Sequence, residues 1–306
     1  MNKKELSLPA GVFAASLTPL KNDLSIDFDR LISHCRWLLD NGCNGIVVMG
    51  TTGEANSFSV KERMEILDAL IEAEIPAHKL LAGTGCCSIP DTIELTKHAV
   101  SHNVGGVLML PPFYYKNMSD EGLHAYFKII IQQINNPDLK IYLYHIPPVS
   151  GVPFSHSLIK KLTSDFPETV IGIKDSSGDW QNMKSLCENF PGFKVYAGTE
   201  KYLLDILNIG GAGCISATTN LSCRPASKIF NDPYGNEADS IQKKVNALRS
   251  IIEKYPMIPA LKLVMAEVSG QVEWTNVRPP QTKLKKADST KLMEDLKSIY
   301  FPDEFV

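Results

Sequence analysis

Lys174 closes the apolar run Val170-Ile171-Gly172-Ile173-Lys174. Burial there disfavours the charged amine, so its pKa, ordinarily about 10.4, is expected to fall toward neutrality. A neutral amine adds to a ketone carbonyl and forms a Schiff base. The competing reading is an ion pair with the adjacent Asp175. A second run, Tyr142-Leu143-Tyr144-His145-Ile146-Pro147-Pro148, carries two tyrosines two positions apart. In a strand they share one face, turned either to the inside of a sheet barrel or to the helix layer. A phenol beside a nucleophilic amine can shuttle protons, although a packed tyrosine with a satisfied hydroxyl gives the same pattern. The third group is Gly50-Thr51-Thr52-Gly53-Glu54. Two glycines around two hydroxyls make a turn whose free N–H groups can cradle a carboxylate or a phosphate. The alternative is a plain strand-to-helix turn with a capping threonine.

Other candidate groups carry less chemistry. Pro111-Pro112-Phe113-Tyr114-Tyr115 reads as a stiff aromatic loop, suited to surface packing or a subunit interface. Gly210-Gly211-Ala212-Gly213-Cys214-Ile215-Ser216 allows close backbone approach, but no Lys-Ser/Thr follows, which excludes a P-loop. The spacing of His, Cys and carboxylates is read as giving no metal site. Seven cysteines, an odd number without a C-x-x-C, read as reduced thiols of a cytoplasmic protein, with Cys86-Cys87 the one cluster.

These groups need a scaffold. Short apolar runs alternate with segments of helical period, as in βα units on a parallel sheet. The runs are 12–17, 45–49, 80–84, 106–110, 141–145, 170–174, 193–197 and 213–216. Between them Phe28, Leu31, Ile32, Cys35, Leu38 and Leu39 fall on one helical stripe, and Ser59 with Glu62 predicts a capping box. Ser119-Asp120-Glu121 opens a helix bearing Leu123, Phe127 and Ile130. Eight such units predict an α/β fold, a (β/α)8 TIM barrel over residues 8–220, with reactive groups at the C-terminal strand ends. After Asn220 the rhythm stops. Helical stretches at 237–255, 260–268 and 289–299, separated by prolines, predict a C-terminal helical appendix over 221–306.

Composition sets outer bounds. The chain has 306 residues, 44% of them hydrophobic, enough for a large core. A formal net charge of −3 argues against nucleic acid or an anionic membrane as partner. No apolar run approaches the roughly 20 residues of a membrane span, and Met1-Asn2-Lys3-Lys4-Glu5-Leu6 lacks the apolar core of a signal peptide.

Taken together the motifs resemble the dihydrodipicolinate synthase / N-acetylneuraminate lyase family of pyruvate-dependent class I aldolases. The matching pieces are Gly50-Thr51-Thr52-Gly53-Glu54, Tyr114-Tyr115, Tyr144-His145-Ile146-Pro147, Gly172-Ile173-Lys174-Asp175 and Gly210-Gly211-Ala212-Gly213, in the family's order and over about residues 8 to 300. The resemblance implies Lys174 as Schiff-base lysine, Tyr144 as its proton shuttle, and Thr51 and Thr52 as holders of the pyruvate carboxylate, Thr52 also in the proton relay. It implies Tyr115 as a relay residue reaching a neighbouring subunit, and Ile215 as the position of a backbone carbonyl near substrate. It further implies a homotetramer built as a dimer of dimers, and no cofactor beyond the covalent adduct with pyruvate or another 2-keto acid.

The second substrate, an aldehyde or a sugar acid, is where the pattern departs. Val149 stands where the synthases usually carry a carboxylate-gripping arginine, a contact valine cannot make. Pro148-Val149-Ser150-Gly151 and Ser176-Ser177-Gly178-Asp179 are more similar to the sialic acid lyases, whereas the Thr51-Thr52 pair is more similar to the synthases. His145 replaces the usual asparagine. Glu200 falls where the lyases place an acidic sugar-binding group, and Lys201 where a second acid would stand. Val60 lies near the place of the histidine of the synthases' lysine-feedback site, so that feedback is not expected. The resemblance thus implies a synthase-like lyase or aldolase, with N-acetylneuraminate lyase or a 2-keto-3-deoxy sugar-acid aldolase or dehydratase as the alternative. A non-catalytic keto-acid-binding barrel and a phosphate-binding metal barrel are the rival classes.

Overall fold

A computed structural model of the chain describes residues 9–299, 301 and 302. The polar N-terminal stretch 1–6 discussed above lies outside the described residues, as do residue 8 and the last residues of the appendix. Eight short strands alternate with helices: β1 Gly11–Ala15, β2 Gly45–Val48, β3 Leu80–Gly83, β4 Gly106–Met109, β5 Ile141–His145, β6 Val170–Asp175, β7 Lys194–Ala197 and β8 Gly213–Ser216. All pair in parallel and in chain order, and β8 closes on β1, giving a barrel. The helices outside it are α1 Phe28–Asp40, α2 Val60–Glu72, α3 Ile89–Ser101, α4 Asp120–Ile134, the single turn α5 Pro147–Ser150, α6 His156–Asp165, α7 Trp180–Asn189, α8 Leu203–Asn208 and α9 Thr219–Asn231. Three more, α10 Ala238–Ile252, α11 Met257–Ser269 and α12 Lys286–Lys297, form the C-terminal layer. The TIM-barrel expectation holds. The structure carries the eighth unit past residue 220, because α9 packs against β1 as the barrel's last helix. No helix among the described residues is long and apolar enough to cross a membrane.

Local chemistry starts these helices where the sequence indicates. Ser59 and Glu62 form the reciprocal capping box of α2, and Ser119 caps α4 by accepting the Gly122 N–H. The strands bury both faces, as a parallel sheet inside a helical ring requires. Their outward side chains join the helices in one continuous core, whereas Phe13, Val47, Leu81, Leu108, Tyr142, Tyr144, Tyr196 and Ile215 fill the interior. Aromatic rings form its lower layer. Tyr196 meets Phe13 edge-on at 5.6 Å and Tyr142 at 5.9 Å between centroids. Glycines admit the Tyr142 ring: a Cβ at Gly172 or Gly106 would lie 2.7 or 2.8 Å from it, so a side chain at either position would displace it. The barrel is therefore plugged below. Over the upper rim α10, α11 and α12 enclose a second core of Leu248, Ile252, Leu261, Val264, Trp274 and Leu292.

Candidate active site

Lys174 and Tyr144 are partners in the β5–β6 register. Period-two alternation turns both inward at the upper end of the barrel. Lys174 is buried, its Nζ 3.4 Å from the Tyr144 hydroxyl and 4.4 Å from the centre of its ring. Thr51 Oγ1 lies 3.2 Å from the same hydroxyl. One phenol oxygen thus joins an amine to an alcohol, a short path along which a proton can pass. Asp175 faces the helix layer, where its two oxygens accept the Ser177 N–H at 2.8 Å and the Asn182 amide at 2.6 Å. The ion-pair reading of Lys174 with Asp175 therefore does not hold. A small recess lies beside the Tyr144–Thr51 contact, bounded also by Arg63, Gly83, Leu108 and Leu110.

The turn that presents Thr51 and Thr52 is sharply folded. Met49 and Glu54 both adopt left-handed backbone, with φ of 55° and 59°. Such conformations persist only where surroundings over-determine them. At Glu54 the cause is visible. Its carboxylate is fully buried, pairs with the equally buried Lys262 of α11, and accepts the Arg278 N–H at 3.1 Å. Lys262 Nζ also donates to the Asn276 carbonyl at 2.7 Å, and Thr18 Oγ1 donates to the Gly53 carbonyl at 2.9 Å. Burial lowers the Lys262 pKa, with the Glu54 carboxylate acting against that shift. The appendix is therefore latched to the threonine turn by an ion pair shielded from water. Neither Lys262 nor Arg278 was singled out in the sequence. The only signal was a lysine within the apolar helix stretch 260–268.

The other expected residues are distributed more widely. Thr52 is buried in the turn beside Thr51, and Ile215 is buried in the same interior cluster as Tyr144. Tyr115 and Tyr114 stand 68% and 74% exposed on the loop before α4, their rings edge to face. Lys116 draws this loop toward α5 by donating to the Ser150 carbonyl at 2.6 Å. Val149 projects from α5, 66% exposed. His145 is not brought to Lys174. It lies on the outward side of β5, where its Nδ1 accepts the Phe154 N–H at 3.0 Å. Burial lowers its pKa against the opposing pull of Asp175. Glu200 is wholly buried in a different cluster. The hydroxyls of Ser216, Thr218 and Ser222 all donate to it, and Arg249 approaches within 3.7 Å. Lys201 turns away and pairs with Glu253, the residue that follows α10, at 2.5 Å.

A closed parallel barrel ringed by helices, with a buried lysine near a strand's C-terminal end, defines a TIM-barrel protein. The comparisons with known proteins specify the class further. Residues 8–299 match the dihydrodipicolinate synthetase family model. A DapA-like lyase of Chloroflexus aurantiacus is 33% identical over 282 residues, covering 92% of this chain and 93% of the relative. The 4-hydroxy-tetrahydrodipicolinate synthase of Methanococcoides burtonii is 31% identical over 301 residues, covering 94% and 98%. The crystal structure of dihydrodipicolinate synthase from Agrobacterium tumefaciens superposes with a TM-score of 0.89 at 31% identity, over 95% of this chain and 99% of that one. The chain belongs to the dihydrodipicolinate synthetase family, whose members are lyases and aldolases.

Proposed function

We propose that the protein is a pyruvate-dependent lyase or aldolase that works through a Schiff base on Lys174. The observation that carries this reading is the contact chain from the Lys174 amine through the Tyr144 hydroxyl to Thr51, buried at the barrel's upper rim. The amine adds to the keto carbon of pyruvate, giving a carbinolamine. Tyr144 supplies the proton with which the hydroxyl leaves as water, and the protonated imine remains. Loss of a methyl proton then gives the enamine, whose carbon attacks an aldehyde; the same steps reversed cleave a sugar acid. Thr51 and Thr52 hold the carboxylate through turn N–H and hydroxyl groups. Ile215 offers a carbonyl near the substrate, and Tyr115 extends the relay once a second chain covers the exposed loop, in a tetramer of paired dimers.

The acceptor follows from the rim. With apolar Val149 on α5, a synthase-type grip on a second carboxylate has no arginine there, which supports cleavage or formation of a sugar acid beside the dihydrodipicolinate synthase reaction. In this reading Glu200 acts through the hydroxyls of Ser216 and Thr218, which it aligns, and His145 acts by bracing β5 from behind.

Borohydride reduction in the presence of pyruvate tests the central step. The expected result is one reduced pyruvyl adduct per chain on Lys174, absent from Lys174→Ala. An unlabelled Lys174 would overturn the mechanism. Turnover assays with aspartate semialdehyde, N-acetylneuraminate and 2-keto-3-deoxygluconate then separate the acceptors.

A further inference from the structure

A second cluster lies on the outer helices. His98 and the residue that ends α3, His102, stand four positions apart and share one helix face. Asp68 faces them from α2, the helix packed alongside. The Nε2 atoms of both histidines lie 2.8 Å from a single oxygen, Asp68 Oδ1, and the two rings meet edge to face with centroids 4.8 Å apart. All three donor atoms fall within 4.8 Å of one another. Two imidazole nitrogens and a carboxylate oxygen are a donor set suited to zinc.

We propose that Asp68, His98 and His102 form a zinc-binding site that clips α2 to α3. Bonds of about 2.0–2.1 Å in a tetrahedron hold donors roughly 3.3 Å apart, so the ion would enter by spreading the present contacts by about half an ångström. A carboxylate only accepts, so each histidine now directs its Nε2 hydrogen at Asp68. On zinc binding each neutral ring gives its Nε2 lone pair to the metal and carries its single proton on Nδ1. No electrons change hands. The side chains are 41% (Asp68), 16% (His98) and 27% (His102) exposed, which gives the ion a route in and leaves the fourth position to water. The cluster sits toward the C-terminal ends of its helices, hence at the barrel face opposite Lys174. The metal therefore acts as a clasp and takes no part in turnover.

Calorimetric titration of zinc chloride into the chelator-treated full-length protein tests this. One saturable zinc per chain is expected, with affinity more than about tenfold weaker in His98→Gln, in His102→Gln and in Asp68→Asn. Zinc should raise the melting temperature of the parent chain and not that of the His98→Gln/His102→Gln double variant, while turnover stays unchanged in all of them. Anomalous scattering from a zinc-soaked crystal should place the ion between α2 and α3. Undiminished zinc binding by the double variant, an ion found only at the Cys86 and Cys87 thiols, or no saturable binding by the parent chain would each overturn the proposal.

Discussion

Tyr144 owes its place to two facts readable from its own strand: it stands one residue before the end of β5, and it shares a face with Tyr142. Whether that face was the barrel interior or the helix layer could not be read from alternation, since both environments are apolar. The structure resolves this inward, opposite Lys174. Removing the hydroxyl breaks both contacts at the phenol oxygen and leaves the amine in place. Tyr144→Phe should therefore lower kcat by about 10²–10⁴ while a pyruvyl adduct on Lys174 still forms on long incubation, as mass spectrometry after borohydride would record. Loss of the adduct itself would mean that Tyr144 chiefly positions the lysine. His145 shows the limit of reading by motif. One residue further along the same strand, it is carried by alternation to the back of the sheet, where a backbone N–H takes up its Nδ1.

Element boundaries were legible because each kind of element has its own period and its own start signal. β5 and β8 coincide with the apolar runs 141–145 and 213–216, and Ser59 caps α2 as its spacing with Glu62 indicates. The end of the barrel was less legible. Rhythm ceases after β8, yet α9 still belongs to the eighth unit, and Pro225 within it disguises a helix that continues to Asn231. Contacts between distant elements left little trace in spacing: Glu54 and Lys262 are 208 positions apart, and although His98 and His102 stand four positions apart, Asp68 joins them from another helix. Removing one member of a buried pair strands the other charge without water. Lys262→Met should cost roughly 3–5 kcal/mol in urea denaturation and should raise KM for pyruvate through the slackened threonine turn. Adding Glu54→Gln to it should restore part of the stability. A double variant no more stable than Lys262→Met would refute the ion-pair account.

At the scale of the molecule, two groups set how the fold responds to acid. His34 of α1 is buried against Asn220 of α9, 2.8 Å from its Oδ1, and burial depresses its pKa to about 4, with the Asn220 hydrogen bond opposing. Unfolded, it binds a proton near pH 6.5, so its contribution is full above that value and is lost as pH falls from about 6.5 to about 4, on the order of 3 kcal/mol in all. Glu62 is held at about 2, first by its hydrogen bond to Arg278, which lies 2.5 Å away. Its contribution is full above the unfolded value of 4.5 and fades between there and about 2. Melting temperature should thus decline in two overlapping stages on acidification. His34→Gln should flatten the upper stage and leave the lower one; an unchanged profile would count against His34 as the source.

The bond between Lys262 and Glu54 also orders events in time. A ribosome releases the strand that bears Lys174 well before it releases the lysine that steadies the threonine turn. Under the mechanism proposed above, a chain halted in that interval would own its amine but lack a firm seat for the keto acid. Competence at this rim would then await the synthesis of α11.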